Sequence, residues 1–408
     1  MPDGVGALPF ADGVSPVLLS TCLSPNQQEL IERVAALARE NFASRAACYD
    51  ADSIFPTENY QDLREAGLLS LTVPREYGGL GADPLTYALC LLEIAKGCPA
   101  TALTFNMHAN VIAIFIAELA TEEQKRRYFG EVVEKGCLFA SITSEPESSF
   151  RDKFVLRTSF TPVDSGYRVN GIKHFCSLGD AADYYFVSGL LEGSDTAREG
   201  LLSALIPRTD SGIKVERLWN ATGMRGTTSH TISYDTLVGH SDIIGTPGQL
   251  LTIDLSGFAL GYAATYLGIA QAAFDFIVQY AKNRVLPPAA EPISHHPLTQ
   301  RSIGELATAL RAATLLLTEA ALVKTAGDRP ATALAVNQAK YLAAELGTSV
   351  TEKAVRLAGG SGILKDLPLE RWHRDALAGP VMPPANDRCL ETIGKIICGI
   401  QAATLEFQ

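Results

Sequence analysis

The chain has 408 residues, of which 47% are hydrophobic and 19% charged, a composition typical of a folded globular protein with a large core. It carries 34 basic and 45 acidic side chains, for a formal net charge of −11. This acidic balance argues against nucleic acid as a main partner and against docking on anionic lipid. No uninterrupted apolar run approaches 18 residues, so the sequence predicts no membrane-spanning helix.

Cysteine and histidine usage indicates a reduced protein without a metal site. The eight cysteines are scattered without CxxC pairs, which predicts buried thiols rather than a disulfide frame or a zinc site. The seven histidines include no HExxH or HxxxH pair. The N-terminus lacks the basic region of a secretory signal. Together these features predict a cytoplasmic protein.

The first part of the chain is predicted to be helical after a flexible arm. Residues 1–24 are rich in glycine and proline and lack periodicity. Ser24 and Pro25 are typical of an N-cap and a first helical residue, and helical segments follow through residues 25–136. Thr121 begins a capping-box pattern within this N-terminal α-helical domain.

Residues 137–246 are predicted to form an all-β domain. Short β-branched and aromatic runs alternate there with turns, over a length that fits a small barrel or sandwich. Helical periodicity returns in residues 247–408, where four long apolar stripes with short connections predict an antiparallel bundle. No GxGxxG after a strand and no GxxxxGK[ST] occurs, which argues against a Rossmann fold and a P-loop.

Ordered motifs give the chain a family resemblance. They are Val73–Gly81, Ser141–Pro146, Gly171–Gly179, Gly223–Thr227 and Leu357–Gly362. In this order and at this spacing they resemble the acyl-CoA dehydrogenase superfamily over nearly the whole chain. The resemblance implies an α+β fold with an N-terminal α-helical domain, a middle β-barrel domain and a C-terminal four-helix bundle.

The resemblance also implies a bound flavin, FAD rather than FMN. A flavin needs hydrogen-bond donors around its ring, an apolar wall, and cations or backbone N–H groups for its pyrophosphate. Ser144 and Ser177 are predicted to donate to the ring, and Phe175 to stack on it; taken alone, Phe175 is equally a core aromatic. By resemblance, Arg284 and the Gly359-Gly360 backbone meet the pyrophosphate bound by a neighbouring subunit. The predicted cofactor-binding residues are Ser141, Thr143, Ser144, Phe175, Ser177, Arg284, His296, Arg356, Gly359, Gly360 and Asp387.

The catalytic base of the family is absent from its expected positions. In the family a glutamate removes the proton α to a thioester carbonyl, and its backbone N–H polarises that carbonyl. The usual position, nine residues after Arg374, is Pro383, which has neither a carboxylate nor an N–H. The alternative family position is Phe258. Asp254 and Asp387 lie four residues from these positions and are the candidate catalytic residues; each is alternatively a solvated helix acid or an N-terminal cap.

The residues expected around the substrate depart from the family as well. His108, Arg225 and Phe258 are the predicted substrate-binding residues, although His108 is alternatively a satisfied core residue and Arg225 alternatively holds its own turn. The family pattern that meets coenzyme A reads Ser256–Ala259 here, and the run after Pro146 also differs. A thioester of CoA or of an acyl carrier protein, and a free small molecule, therefore remain open as substrates.

Two reaction classes are compatible with these residues. A third hypothesis is a binding or structural protein that keeps the fold and has lost the chemistry. The favoured one is a dehydrogenase that oxidises an acyl group with a displaced acid or by substrate-assisted deprotonation, supported by the dehydrogenase-like bundle motifs. The second is a flavin monooxygenase. Relatives that activate O₂ with reduced flavin lack the glutamate, and this chain has Pro383 at the glutamate position. The implied partners are an electron-transfer protein or a flavin reductase. A homotetramer or homodimer is expected by resemblance.

Overall fold

A computed structural model describes residues 21–146 and 156–400 of the chain. Most of the predicted N-terminal arm and the run after Pro146 therefore lie outside the described residues. The described chain passes from a group of helices through one sheet to a second group of helices. This order confirms the predicted α+β class.

Three of the helices before the first strand begin at side-chain caps. Ser24 caps the first helix reciprocally with Gln27, and Thr121 does the same with Gln124, as the capping-box patterns predict. The helices are α1 (Pro25–Leu37), α2 (Ala43–Asp52), α3 (Thr57–Glu65), α4 (Pro84–Gly97), α5 (Pro99–Asn110), α6 (Ala117–Leu119) and α7 (Glu122–Gly130). Between α5 and α6 the chain contains a π-helical stretch at Val111–Ile116.

The middle of the chain forms a seven-stranded mixed sheet. Its order is β1-β4-β2-β3-β7-β6, with β5 paired to β4. β1 and β4 are parallel, whereas β3 and β7 form a long antiparallel pair whose register shifts between Lys173 and Cys176. The strands are β1 (Phe139–Ile142), β2 (Ser159–Val163), β3 (Gly166–Cys176), β4 (Tyr184–Leu191), β5 (Leu201–Pro207), β6 (Ile213–Arg217) and β7 (His230–Gly239), with the short helix α8 (Ala197–Gly200) before β5.

The C-terminal helices contain the four predicted long segments and one short helix that the periodicity does not predict. The first long helix packs against both the third helix of this group and α4 of the N-terminal domain, so a continuous apolar core joins the two helical regions. The helices are α9 (Ser256–Asn283), α10 (Pro297–Ala326), α11 (Arg329–Ala358), α12 (Leu369–Ala376) and α13 (Asn386–Ile397).

One arginine of α12 bridges all three parts of the fold. The Arg374 guanidinium donates to the Asp50 carboxylate at the end of α2, at 2.6 and 2.9 Å, and to the Thr222 carbonyl at 2.9 Å. Asp375 beside it accepts the Met224 N–H at 2.6 Å. The loop before β7 is therefore fixed to the bundle and to the N-terminal helices at the same place.

Two helical stretches of the described chain are long and apolar enough to cross a membrane, by length and composition alone: Pro99–Leu119 and Pro297–Ala326. The expectation from uninterrupted apolar runs misses them because a few polar residues interrupt each stretch. The most apolar window of Pro99–Leu119 is 89% buried within the protein, as in a core helix. The corresponding window of Pro297–Ala326 is 44% buried.

Candidate functional site

Backbone strain concentrates in two segments of the middle domain. Five non-glycine residues in the described chain have positive φ, and four of them lie within residues 175–178 and 224–228. The Leu178 N–H donates to the Thr227 carbonyl at 3.1 Å, so these segments are hydrogen-bonded to each other. Such conformations cost about 1–3 kcal/mol each and cluster at functional sites. The four residues are Phe175, Leu178, Met224 and Thr228.

The register shift in β3 turns Phe175 outward. This residue has a φ of 56° and is 57% exposed. Its ring packs edge-on against Trp219, with the ring centroids 5.9 Å apart. The Trp219 indole N–H donates to the Met224 carbonyl at 3.0 Å, so the strained segment also holds the tryptophan in place. An exposed aromatic ring in a fixed position offers a flat apolar surface to a planar ligand.

A buried ion pair fixes the polar end of β1 against β3. The Glu145 carboxylate lies 2.7 Å from the Lys173 Nζ and accepts the Thr158 hydroxyl at 2.6 Å. Burial alone would raise the pKa of Glu145, but the attraction of Lys173 and the hydrogen bonds to the carboxylate lower it below its usual value. Lys173 also donates to the Thr143 carbonyl at 3.3 Å. Burial lowers the pKa of Lys173, while Glu145 opposes this shift. The pair connects the segment that follows β1 to β3.

Three predicted cofactor contacts are half-buried here: Ser141 lies in β1, and Thr143 and Ser144 follow the strand directly. The Ser144 carbonyl accepts the His174 N–H at 2.8 Å, which places it directly beside the residue that precedes the exposed Phe175. The structure thus brings the predicted contacts of β1 and β3 together.

Ser177, another predicted cofactor contact, ends a chain of three hydroxyl groups. Its Oγ lies 2.9 Å from the Ser229 Oγ, which in turn lies 2.7 Å from the Thr227 Oγ1. The Thr227 hydroxyl donates to the Met224 carbonyl at 2.9 Å. Sequence reasoning misses Thr227 and Ser229; the signal available was the run of three hydroxyl residues at 227–229.

The predicted cofactor contacts of the bundle other than Asp387 lie at or near helix ends. Arg284 follows α9, His296 is the N-cap of α10, and Gly359 follows α11 with a φ of 64°. Arg356 pairs with Glu352 of its own helix at 2.5 Å. All the predicted contacts of this group, Gly360 included, are exposed. Their hydrogen bonds join them to other residues of the bundle, so they form a second surface that is separate from the surface around Phe175.

The segment that contains Pro383 is hydrogen-bonded to Lys340, a residue that the sequence analysis does not identify. Pro383 itself is exposed. The fully buried Lys340 of α11 donates to the Gly379 carbonyl at 3.0 Å and to the Asn386 Oδ1 at 2.9 Å, on either side of it. Burial lowers the pKa of Lys340 to about 8. The available signal was a lysine within the alanine-rich first half of α11.

The two candidate bases have different surroundings. The Asp254 carboxylate lies 2.6 Å from the Lys324 Nζ and accepts both the N–H and the hydroxyl of Ser256 at the start of α9. Burial would raise the pKa of Asp254, but these partners lower it, which makes the carboxylate a poor base and favours the capping alternative. Asp387 is exposed in the first turn of α13. Phe258 is half-buried against Phe115, with ring centroids 5.6 Å apart.

The contacts of His108 and Arg225 favour their structural alternatives. The buried His108 accepts the Phe139 N–H at its Nδ1, at 3.1 Å, so its Nε2 carries the proton and donates to the Leu69 carbonyl at 2.9 Å. Burial lowers the pKa of His108 to about 4, which keeps the ring neutral. The Arg225 Nε donates to the Asp50 carbonyl at 2.6 Å and caps the C-terminus of α2.

Metal ligands are not clustered in the described residues, where no group of three or more His, Cys, Asp or Glu side chains converges. The cysteines described there are all free. The rings of His174 and Trp219 pack against Phe175, and hydroxyl groups follow at Ser177 and Ser229, a set that suits an organic ligand rather than a cation.

Family models of acyl-CoA dehydrogenases match three successive parts of the chain: the N-terminal domain over residues 24–135, the middle domain over 141–237 and the C-terminal domain over 260–381. The chain is 30% identical to the probable acyl-CoA dehydrogenase YngJ of Bacillus subtilis (strain 168), over 87% of this chain and 93% of that protein.

Solved structures give the same picture. The fold is similar to that of butyryl-CoA dehydrogenase from Megasphaera elsdenii, with 26% identity, a TM-score of 0.86, and coverage of 92% of this chain and 99% of that one. It is also similar to FMN-bound TdsC from Paenibacillus sp. A11-2, with 24% identity, a TM-score of 0.84, and coverage of 93% and 99%. At that identity the second likeness shows the fold alone.

Proposed function

Since the chain belongs to the acyl-CoA dehydrogenase superfamily, we propose that it is an FAD-dependent oxidoreductase that oxidises a thioester-bound acyl group without the family's glutamate. The observation that carries the proposal is the strained, exposed Phe175 beside the hydroxyl groups of β1 and β3. FAD is the cofactor of the family, and this surface matches what a flavin ring requires. When bound, the flavin supplies the two-electron acceptor.

The residues present fit that cofactor in two places. Phe175 covers the ring, while Ser141, Thr143, Ser144 and Ser177 offer hydroxyl and backbone groups to its polar edge. The exposed helix ends of the bundle provide the Arg284 and Arg356 cations and the exposed Gly359-Gly360 backbone for a pyrophosphate. We assign that second surface to the cofactor of a neighbouring copy, in a homodimer or homotetramer. The residues of the second surface are Arg284, His296, Arg356, Gly359 and Gly360.

The residue that takes the substrate proton must differ from the glutamate of the family. Pro383 offers no carboxylate and no N–H, and Asp254 is committed to Lys324. Asp387 is therefore the better candidate base, since its exposed carboxylate lies in the first turn of α13, four residues after Pro383. The same residue is alternatively a cofactor contact. His108 and Arg225 act here as supports for the fold, and Phe258 limits the space beside the acyl group.

A flavin monooxygenase is the second candidate. Pro383 favours it, because oxygen activation by reduced flavin needs no base for an α-proton. In that case a separate NAD(P)H-dependent reductase supplies the reduced flavin, whereas the dehydrogenase passes electrons from its substrate to an electron-transfer protein. For either reaction we place the protein in the cytoplasm, in agreement with its free cysteines.

An anaerobic titration distinguishes the two reactions. Acyl-CoA and acyl-carrier thioesters are added in turn to the FAD-loaded protein while the visible absorbance of oxidised flavin is followed. Bleaching by a thioester supports the dehydrogenase. A stable flavin band with every thioester, together with oxygen insertion in the presence of a reductase, contradicts it.

The cofactor surface is tested separately by FAD binding. Replacing Phe175 with leucine is expected to weaken FAD binding about tenfold, or about 1.4 kcal/mol, because the ring contact is lost. Leu237→Ala is the matched control, since Leu237 is 63% exposed on β7 but pairs with Arg168 at the far end of the same strand pair. Equal FAD affinity in both variants would contradict the placement of the ring.

A further inference from the structure

The hydroxyl chain that ends at Ser177 has a direction that follows from counting protons. Three hydroxyls, Ser177, Ser229 and Thr227, are linked in series to the Met224 carbonyl, which can only accept. If Thr227 donates to that carbonyl, Ser229 must donate to Thr227 and Ser177 must donate to Ser229. All three protons are then used inside the protein. Ser177 consequently presents only lone pairs to any ligand.

The opposite direction is also available at a low cost. Thr227 then donates to Ser229, Ser229 donates to Ser177, and the Ser177 proton points away from the chain. Only the hydrogen bond from the Thr227 hydroxyl to the Met224 carbonyl is lost. That carbonyl keeps two other donors, the Trp219 indole N–H at 3.0 Å and the Thr227 backbone N–H at 3.2 Å. In the opposite direction only the Ser177 proton lacks a partner within the hydroxyl chain, and a ligand that accepts a hydrogen bond supplies one.

We propose that Thr227, Ser229 and Ser177 form a reversible hydroxyl chain that presents Ser177 as an acceptor to reduced flavin and as a donor to oxidised flavin, with the acceptor direction favoured. The proposal rests on the proposed function, because it takes Ser177 as a contact of the flavin ring. Oxidised flavin has ring nitrogens that accept hydrogen bonds, and two-electron reduction adds N–H donors. Because the acceptor direction makes one more hydrogen bond, the chain biases the bound cofactor toward its reduced form.

None of the three residues needs to exchange a proton for this effect, because each hydroxyl only rotates about its C–O bond. Thr227 and Ser229 act as positioning residues, since they reach the cofactor only through Ser177. The chain is buried, so water does not compete for its hydrogen bonds: Ser177 and Ser229 are each 6% exposed and Thr227 is fully buried.

The reduction potential of the bound flavin tests the chain. In Thr227→Val the Ser229 proton loses its acceptor and turns to Ser177, whose own proton then points to the flavin and favours the oxidised form. We expect the preference for reduced over oxidised flavin to fall about tenfold, which for a two-electron couple is a potential about 30 mV more negative. Ser229→Ala is expected to shift the potential in the same direction, because the Ser177 proton loses its internal partner.

Thr227→Ser is the matched control, since it keeps the hydroxyl and should leave the potential unchanged. Equal potentials in Thr227→Val and Thr227→Ser, or a positive shift in the valine variant, would overturn the hydroxyl chain while leaving the flavin site standing. If the unsubstituted protein binds neither FAD nor FMN, the proposed function fails and this inference fails with it. Thermal unfolding of the loaded variants separates a misfolded protein from a shifted potential.

Discussion

Replacing Asp375 with asparagine is expected to stabilise the protein above pH 6. Asp375 is 3% exposed on α12, and burial raises its pKa from 3.8 to about 6, although Arg371 and the hydrogen bond from the Met224 N–H partly offset this. An acid with a raised folded-state pKa contributes stability that is present below about pH 3.8 and lost as the pH rises through about 6. A shift of about two units corresponds to about 3 kcal/mol. Asparagine keeps an acceptor for the Met224 N–H and cannot ionise.

The assay is urea unfolding of both proteins at several pH values between 4.5 and 8. The stability advantage of Asp375→Asn should grow by about 1.4 kcal/mol per pH unit up to about pH 6 and then level near 3 kcal/mol. His108 titrates in the same range with the opposite sign, because its pKa is lowered to about 4, but it is common to both proteins and cancels in the difference. A pH-independent difference, or a less stable asparagine variant at pH 7, would refute the reasoning.

Three further predictions concern the ion pair, the candidate bases and a helix contact. Lys173→Met should destabilise the protein by about 3–5 kcal/mol in urea unfolding, because the buried Glu145 carboxylate loses its counter-ion. Adding Glu145→Gln should recover part of this lost stability, and no recovery would contradict the ion pair. Asp387→Asn should slow thioester-driven flavin bleaching about a hundredfold in stopped flow, whereas Asp254→Asn should not; equal rates would remove Asp387 as the base. A Cβ at Gly261 would lie 2.1 Å from the side-chain oxygen of Asn106 in α5. Gly261→Ala should therefore cost about 1–3 kcal/mol of stability and lower the melting temperature, and an unchanged melting temperature would contradict this packing.

Strongly patterned elements could be predicted from the sequence, and weakly patterned ones could not. The capping boxes at Ser24 and Thr121 act through neighbours three residues away, so local sequence contains the whole signal. Strand β6 (Ile213–Arg217) is difficult to predict because it is a short edge strand: its apolar alternation consists only of Ile213 and Val215, and four of its five residues are exposed. The π-helical stretch at Val111–Ile116 could not be predicted either. All six of its residues are apolar, so no alternation of polar and apolar residues distinguishes it from an α-helix.

The candidate site follows the same division. Phe175 and Ser177 lie in motifs that can be recognised along the chain, so both could be named before the structure was described. Ser229 and Lys340 could not, because their roles depend on partners brought close by the fold: Ser229 meets Ser177 across 52 positions, and Lys340 meets Asn386 across 46. The structural alternative for His108 also depends on distant backbone groups that no local pattern contains.

The arginine of α12 that touches all three parts of the fold also limits how the chain can be divided. A fragment that ends before Arg374 leaves the Asp50 carboxylate at the end of α2 without its guanidinium partner, and the Thr222 carbonyl without a donor. Partly buried charges that lose a partner are costly. The helical and sheet regions are thus distinct in architecture but are expected to melt as one cooperative unit, with a single calorimetric transition per folded chain.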